Sequence, residues 1–275
     1  MRRLHIGTSA RIIGVLVILG IAVFPLYWMF VTSLTSNQAL FGSSAQMFPD
    51  LTRLGTYGEA LSGNVLRWLM NSTIIAAGTC LLTAVLALPF AYALSRFRFR
   101  WKSIIVIGLF LTQMLPEALL VVPLFALFRI LDLLNSLVGL ILVCTAFVLP
   151  IVVFILKGAI DGIPRELEES ARIDGCRPFG ILTRIYLPLI APTIAATAVI
   201  SFFSGWNEYV FAVTFAFDPA MQPMSVGLAS FIGELSTPVQ TVMAVAVMYT
   251  LPAVAFYLFA QKYVVSGMTA GAVKG

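Results

Sequence analysis

Apolar residues in this chain come in long runs, not at the 3.6-residue or two-residue periods that mark half-buried helices and strands. Runs of about 18 or more apolar residues read as bilayer spans. Six such runs predict helices at about 12–33, 72–95, 104–128, 137–157, 189–216 and 240–262. The expectation is an all-α membrane protein with a single transmembrane domain over residues 1–275. The first run follows Met1-Arg2-Arg3 and extends beyond the length of a secretory h-region, with no small-residue cleavage site after it, so it reads as a retained span. Pro25, Pro89, Pro116, Pro123, Pro150, Pro192 and Pro252 fall inside the runs. Such breaks are tolerated in a membrane where neighbouring helices or a cavity satisfy the freed backbone groups.

Composition agrees with the pattern. Of the 275 residues 60% are hydrophobic and 11% charged, where a soluble domain carries about 25% charged residues. The formal net charge of +5 could suggest nucleic acid in a soluble protein. Here the basic residues sit between apolar runs, where they set orientation, and no nucleic-acid role is expected. With the N-terminus placed in the cytosol, the inner segments hold 14 of the 17 Lys and Arg residues and the outer ones only Arg53, Arg67 and Arg129. The positive-inside rule then predicts that both termini are cytosolic. Cys80, Cys144 and Cys176 are far apart in sequence and His5 is the only histidine. No disulfide, metal site or histidine-based catalysis is expected.

The inner loop 158–188 is long and rich in charge. Pro164 suits a first helical position. Glu166, Glu168 and Glu169 suit the early turns, where the helix dipole favours negative charge. Gly175 suits the left-handed residue that closes a helix. A short helix of about three turns is therefore predicted, with Leu167 and Ala171 on one face and Ser170 beside them, a small-residue face for another protein. A second short helix is predicted over 179–186, before Leu187-Pro188 returns the chain to the membrane. On these grounds alone a solvated hairpin stays an equal reading.

Glu169-Ser170-Ala171 is followed by three residues, then Gly175, then nine residues, then Ile185-Tyr186-Leu187-Pro188. This resembles the loop of permease subunits of bacterial ABC importers, E-A-A, three residues, G, nine residues, I-x-L-P; Ser170 replaces the first Ala. The resemblance implies the type I ABC importer permease fold, with six transmembrane helices. It implies that the loop is a coupling helix seated on a separate ATPase, with Glu169, Ser170, Ala171, Asp174, Gly175, Ile185, Leu187 and Pro188 at or near that contact.

The likeness spans most of the chain and is similar to the carbohydrate branch, of the maltose-permease G-subunit type. It is carried further by Tyr57, Asn71-Ser72, Trp206-Asn207-Glu208-Tyr209, Gln222-Pro223-Met224-Ser225-Val226-Gly227 and the tail 263–275. In that branch the tail reaches the ATPase, which would put Gly267, Thr269, Ala270, Gly271 and Lys274 at a second contact; a frayed glycine-rich terminus is the alternative. Gln113, Glu117, Asn207 and Glu208 are polar groups at membrane depth, where such residues are costly and face a cavity or a partner. With Trp206 and Tyr209 as aromatic faces they could line a sugar path. Helix–helix hydrogen bonding is the competing reading.

No G-x-x-x-x-G-K-[ST] occurs, so the chain has no phosphate-cradling loop of its own, and no catalytic residues are expected. The resemblance implies a non-enzyme in a bacterial cell membrane. Its partners would be a second permease subunit in a heterodimer, two ATPase copies that bind ATP and magnesium, an extracytoplasmic sugar-binding protein and membrane lipid. The chain itself would hold no cofactor. An alpha-linked disaccharide such as trehalose or maltose is the expected cargo. Another small solute is an alternative. So are an ion-coupled secondary transporter, which would need more intramembrane ionisable groups and usually an inverted repeat, and a membrane scaffold.

Overall fold

The computed structural model describes residues 3–42, 46–61, 63–233 and 238–272, and the side chains of 3–9, 232–233 and 263–272 lie outside that description. The described residues form α1 (Arg3–Ser33), α2 (Asn37–Leu40), a 3-10 turn at Leu51–Arg53, α3 (Gly55–Ala60), α4 (Val65–Arg96), α5 (Lys102–Met114), α6 (Glu117–Ile130) and α7 (Leu137–Asp161). Then come α8 (Arg165–Ile173), α9 (Pro178–Ile181), a π-helical turn at Leu182–Tyr186, α10 (Leu187–Leu189), α11 (Ala191–Trp206), α12 (Val210–Phe215), α13 (Met224–Gly233) and α14 (Val239–Ala272). There are no strands among the described residues.

Four helical stretches are long and apolar enough to cross a membrane by themselves: Ala10–Ser33, Val65–Arg96, Leu137–Asp161 and Val239–Lys262. The third expected span is broken by a sharp bend, and the fifth, 189–216, has a bend at its start and a break at 207–209 between α11 and α12. Lys102–Met114 and Glu117–Ile130 meet at 106°, and Pro178–Leu189 and Ala191–Phe215 at 85°. Counting each bent pair as one gives up to six spans. Proline causes both bends. Leu115, at ψ 124°, is extended, the conformation imposed on a residue before proline, and Pro116, at ψ 130°, cannot donate to a helical ladder. In the other pair the helix resets at Ile190, and Pro192 sits in the first turn of α11, where its missing N–H costs nothing.

The chain divides into two units. In the first, Met1–Leu66 with Leu228–Leu251, the loop after α1 is tied back to that helix. The Tyr27 hydroxyl donates to the Met47 carbonyl at 2.7 Å, and the Ser33 and Tyr57 hydroxyls share a hydrogen bond of 2.8 Å.

The second unit, Arg67–Gly227 with Pro252–Gly275, is organised on α4 and α7, which run in the same direction. Toward their N-terminal ends Ile75 joins Leu140, Val143 and Cys144 in one apolar cluster with Phe211 and Phe215. Toward their C-terminal ends Ala87, Ala91 and Leu94 join Val152, Val153, Leu156 and Ile160 in another, which also takes in Ala171, Ile181 and Tyr186. Helix α11 crosses α4 so closely that a Cβ on Gly205 would lie 2.9 Å from the Ala76 Cα. At the N-terminal end of α4, Trp68 and Asn71 donate to the carbonyls of Pro219, Ala220 and Gln222, while Ser72 accepts from the Met224 amide. Two of the stretches that carry the family resemblance thus bind each other.

Candidate functional site

Because α4 and α7 are parallel, their C-termini finish side by side, and the loop 162–190 folds over them. Helix α8 begins one residue later than expected: Pro164 is its N-cap, in extended conformation at ψ 139°, and Arg165 is its first residue. Its nine residues make about two and a half turns. It ends at Gly175, whose φ of +81° is left-handed. The Cys176 amide donates to the Ala171 carbonyl and the Gly175 amide to that of Arg172, the paired bonds that satisfy the carbonyls of a helix end.

The following segment is less regular than the second helix expected at 179–186. Helix α9 has four residues and then widens, so that the Leu187 amide reaches the Leu182 carbonyl five residues back. Pro188 explains the widening. It has no N–H for the carbonyl four residues earlier, and its ring would collide with that carbonyl in a regular α-helix.

A buried carboxylate holds this loop to the two long helices. Glu168 is 5% exposed. Its Oε1 accepts from the Tyr92 hydroxyl at 3.2 Å and from Arg172 Nη2 at 2.6 Å. Its Oε2 accepts from the Tyr186 hydroxyl at 2.8 Å and lies 3.5 Å from Arg96 Nε. Arg96 is equally buried, and its Nη2 donates to the carbonyls of Ile160 at 2.7 Å and Ile163 at 2.6 Å, which closes the end of α7. Its guanidinium also stands 5.2 Å from the Tyr186 ring centre. One carboxylate therefore joins α4, α8 and the π-helical turn, and one guanidinium adds α7.

Burial pushes the Glu168 carboxyl upward. Hydrogen bonds from Tyr186, Arg172 and Tyr92, with the charge of Arg172, outweigh burial and hold it below its ordinary value of 4.5. The group is ionised at neutral pH, and a buried charge of this kind is tolerated because it is paired and fully hydrogen-bonded.

The outer side of α8 presents what the inner side does not use. Leu167 is 47% exposed, Ile173 87% and, beyond the turn, Phe179 76%. Glu169, Ser170, Asp174 and Gly175 are also exposed. The small-residue face expected for a partner is split, because Ala171 is buried in this chain's own core while Leu167 faces away. Ile185 is half-buried against the same core, Leu187 is half-buried and Pro188 exposed. Of this joint, Tyr92, Arg96 and Tyr186 were not singled out by sequence reasoning. A signal was present in the Glu168–Arg172 spacing of four, which places opposite charges on one helix face.

Of the residues expected along a sugar path, Glu117 and Glu208 lie within electrostatic reach of each other and of Cys144. Gln113 donates to the Phe147 carbonyl at 3.0 Å, just before the Leu115–Pro116 break, and the exposed Glu117 begins α6. Asn207 is exposed at the end of α11. Glu208 accepts from the Phe211 amide at 2.7 Å, capping α12, and its carbonyl accepts from the Ser225 hydroxyl. Trp206 is 2% exposed and stacks on Phe202 at 5.6 Å, so its face is turned into the core, while Tyr209 is 42% exposed. In the tail, α14 continues as helix through Gly267, Thr269, Ala270 and Gly271 to Ala272, and Lys274 lies outside the described residues.

The described residues form a helical chain with several candidate membrane spans, in which a buried ion pair fastens the loop 162–190 to two long helices. The chain belongs to the family of binding-protein-dependent transport system inner membrane components, which it matches over residues 63–270. It is 36% identical over 268 residues to the trehalose/maltose transport system permease protein of Thermococcus litoralis, covering 96% of each chain. It is 33% identical over 270 residues to the sulfoquinovosyl glycerol transport system permease protein of Agrobacterium fabrum, covering 98% of this chain and 95% of that one.

Its fold matches, with a TM-score of 0.81 and 23% identity, a chain of a bacterial ABC transporter involved in import of the acidic polysaccharide alginate, over 96% of this chain and 98% of that chain. A second match is to a bacterial alginate ABC transporter in complex with an alginate pentasaccharide-bound periplasmic protein, with a TM-score of 0.61, 15% identity and coverage of 94% and 92%. The chain is thus a multi-pass membrane permease subunit, in itself non-enzymatic, that works within a transport complex.

Proposed function

We propose that this chain forms half of the translocation pathway of an ATP-driven importer of small glycosides, an alpha-linked disaccharide such as trehalose or maltose being the first candidate. The observation that carries the reading is the joint at Glu168. A loop meant only to connect two spans needs no buried ion pair, whereas a loop that transmits movement must be fixed to the helices it moves. Arg96, Lys157, Arg165, Arg172, Arg177 and Arg184 gather at one end of the unit, which supports, by the positive-inside rule, the reading that this end faces the cytosol of a bacterial cell; cytosolic termini belong to the same reading.

There α8 would seat on a separate ATPase through Leu167, Glu169, Ser170, Ile173 and Asp174. ATP and magnesium would be bound by two copies of that ATPase. A second permease subunit would complete the pathway, and an extracytoplasmic binding protein would deliver the sugar. Closure of the ATPase pair would draw the coupling loops together and, through Glu168 and Arg96, swing α4 and α7 as levers. Gln113, Glu117, Asn207, Glu208 and Tyr209 remain the candidates for lining the path. The tail remains a candidate second contact with the ATPase, supported by resemblance alone.

The test is purification of the complex, reconstitution in lipid vesicles and measurement of ATP-dependent uptake with the binding protein and a panel of glycosides. Uptake of trehalose or maltose is expected. Accumulation that persists without the ATPase would refute the ATP-driven reading, and transport confined to a non-glycoside solute would refute the cargo class.

A further inference from the structure

Beside the Glu168 joint, Arg96, Arg98, Arg165, Glu168, Glu169 and Arg172 line an open cavity of about 220 Å³. Four arginines against two glutamates leave it two positive charges in excess. Glu168 is shared among Tyr92, Tyr186, Arg172 and Arg96, which leaves Glu169 as the one other carboxylate lining the cavity to offset Arg98 and Arg165. The buried Nε of Arg96 makes no hydrogen bond and has only the ion pair with Glu168 Oε2 at 3.5 Å. At the rim Arg98 and Arg165 are exposed and make no hydrogen bond or ion pair among the described residues. The cavity therefore carries more donors than acceptors: four arginines face the two carboxylates of Glu168 and Glu169.

Its surroundings narrow the ligand. The turn between α4 and α5 carries Phe97, Phe99 and Trp101, which are 39%, 38% and 61% exposed, and the Arg100 guanidinium stands 6.0 Å from the Trp101 ring. Aromatic and basic residues interleaved in this way suit the headgroup level of a bilayer. Space for about seven waters, at roughly 30 Å³ each, accommodates a tetrahedral anion. Guanidinium forks match phosphate oxygens, and several can converge on one group.

We propose that this cavity binds an anionic phosphate group, from a phospholipid headgroup or from free phosphate, through Arg98, Arg165 and Arg172. Arg165 and Arg172 belong to α8, while Arg98 follows α4, so a bound phosphate bridges the joint that Glu168 already closes. Occupancy would stiffen the loop, and the anionic-lipid content of the membrane would then tune the importer. The lipid source rests on the reading that this end faces the cytosolic leaflet.

The experiment is native mass spectrometry of the intact, delipidated importer complex, titrated separately with phosphatidylglycerol, phosphatidylcholine and inorganic phosphate. Preferential retention of phosphatidylglycerol is expected. R98Q/R165Q should reduce that preference by roughly thirtyfold, at about fivefold for each arginine near an anionic surface. R98K/R165K, which keeps the charge and guards against a folding artefact, should retain most of it. Retention of inorganic phosphate without phosphatidylglycerol, lost in R98Q/R165Q, supports the phosphate site and removes the lipid as its source.

No preference for either phosphate probe in the wild type, or an unchanged preference in R98Q/R165Q, overturns the proposal. So does loss of the ATPase from R98Q/R165Q with phosphatidylglycerol retention unchanged, which would assign the cavity to ATPase docking. Sugar uptake by the wild-type complex in vesicles is read separately, and its failure would count against the importer reading without touching phosphate retention.

Discussion

Replacing Glu168 by glutamine removes the charge at the centre of the joint with almost no change of shape. In the wild type the carboxylate accepts three hydrogen bonds and faces the buried Arg96. The amide keeps one acceptor, enough for Tyr92 and Arg172, but turns an NH2 toward Tyr186 and leaves Arg96 without its counter-charge. Breaking a buried ion pair from one side costs about 3–5 kcal/mol. With two of the three hydrogen bonds retained, the lower end applies, and about 3 kcal/mol corresponds to a roughly hundredfold larger open population of α8.

Hydrogen exchange of the complex in detergent should show that rise in the segment 165–175 and none in the middle of α7. Sugar-stimulated ATPase activity should fall in parallel. The pH dependence adds a second arm. A carboxyl held below its ordinary value stabilises the joint fully above that value, 4.5, and loses the contribution as pH falls through the lowered one. Wild-type protection should therefore be flat around neutrality and decline only in acid, while Glu168→Gln should lack that acid step. Unchanged protection in Glu168→Gln, with normal coupling, would refute the anchoring role.

Three other outcomes are expected. Gly175→Ala places a Cβ in open space but at a φ of +81°, so only the left-handed penalty of about 1–2 kcal/mol applies; uptake should fall while membrane insertion stays normal, and Gly175→Asn should recover part of it. Gly205→Ala drives a Cβ against the Ala76 backbone of α4 and should cost about 1–3 kcal/mol as overpacking, read as a lowered melting temperature of the detergent-solubilised complex. Asn207→Ala should weaken sugar uptake without loss of assembly, measured by co-purification of the partner subunits, since its side chain is exposed; failure to assemble would identify it as helix–helix glue.

The long spans were legible because a bilayer demands continuous apolar sequence, and α1, α4, α7 and α14 each satisfy that demand. The break in the third span was not, because hydropathy is blind to direction: Leu115 is as apolar as its neighbours, and only its place before Pro116 reveals the turn, whereas the bend at Ile190 lies two residues beyond Leu187-Pro188, where the sequence reading returns the chain to the membrane. Within the loop, Gly175 was readable as a helix stop because left-handed backbone has few alternatives to glycine. The inward face of α8 was misjudged at Ala171. A small residue permits close packing against any surface, and here that surface is the chain's own second apolar cluster. Glu168 was read only as a favourable charge near a helix N-terminus, since its partners Tyr92 and Arg96 lie more than seventy residues earlier and only the parallel course of α4 and α7 brings them to it.

The break at Leu115–Pro116 has a consequence for hydration. A helix that stops inside the apolar layer leaves its last carbonyls without intrahelical donors, and hydrocarbon cannot supply any. Each unsatisfied group there costs several kcal/mol, roughly, so irregular backbone at membrane depth survives only against protein or water. The bend between α5 and α6 therefore has to be met by protein or by water, and in an assembled importer a second subunit or a hydrated pathway would supply the donors its carbonyls lack.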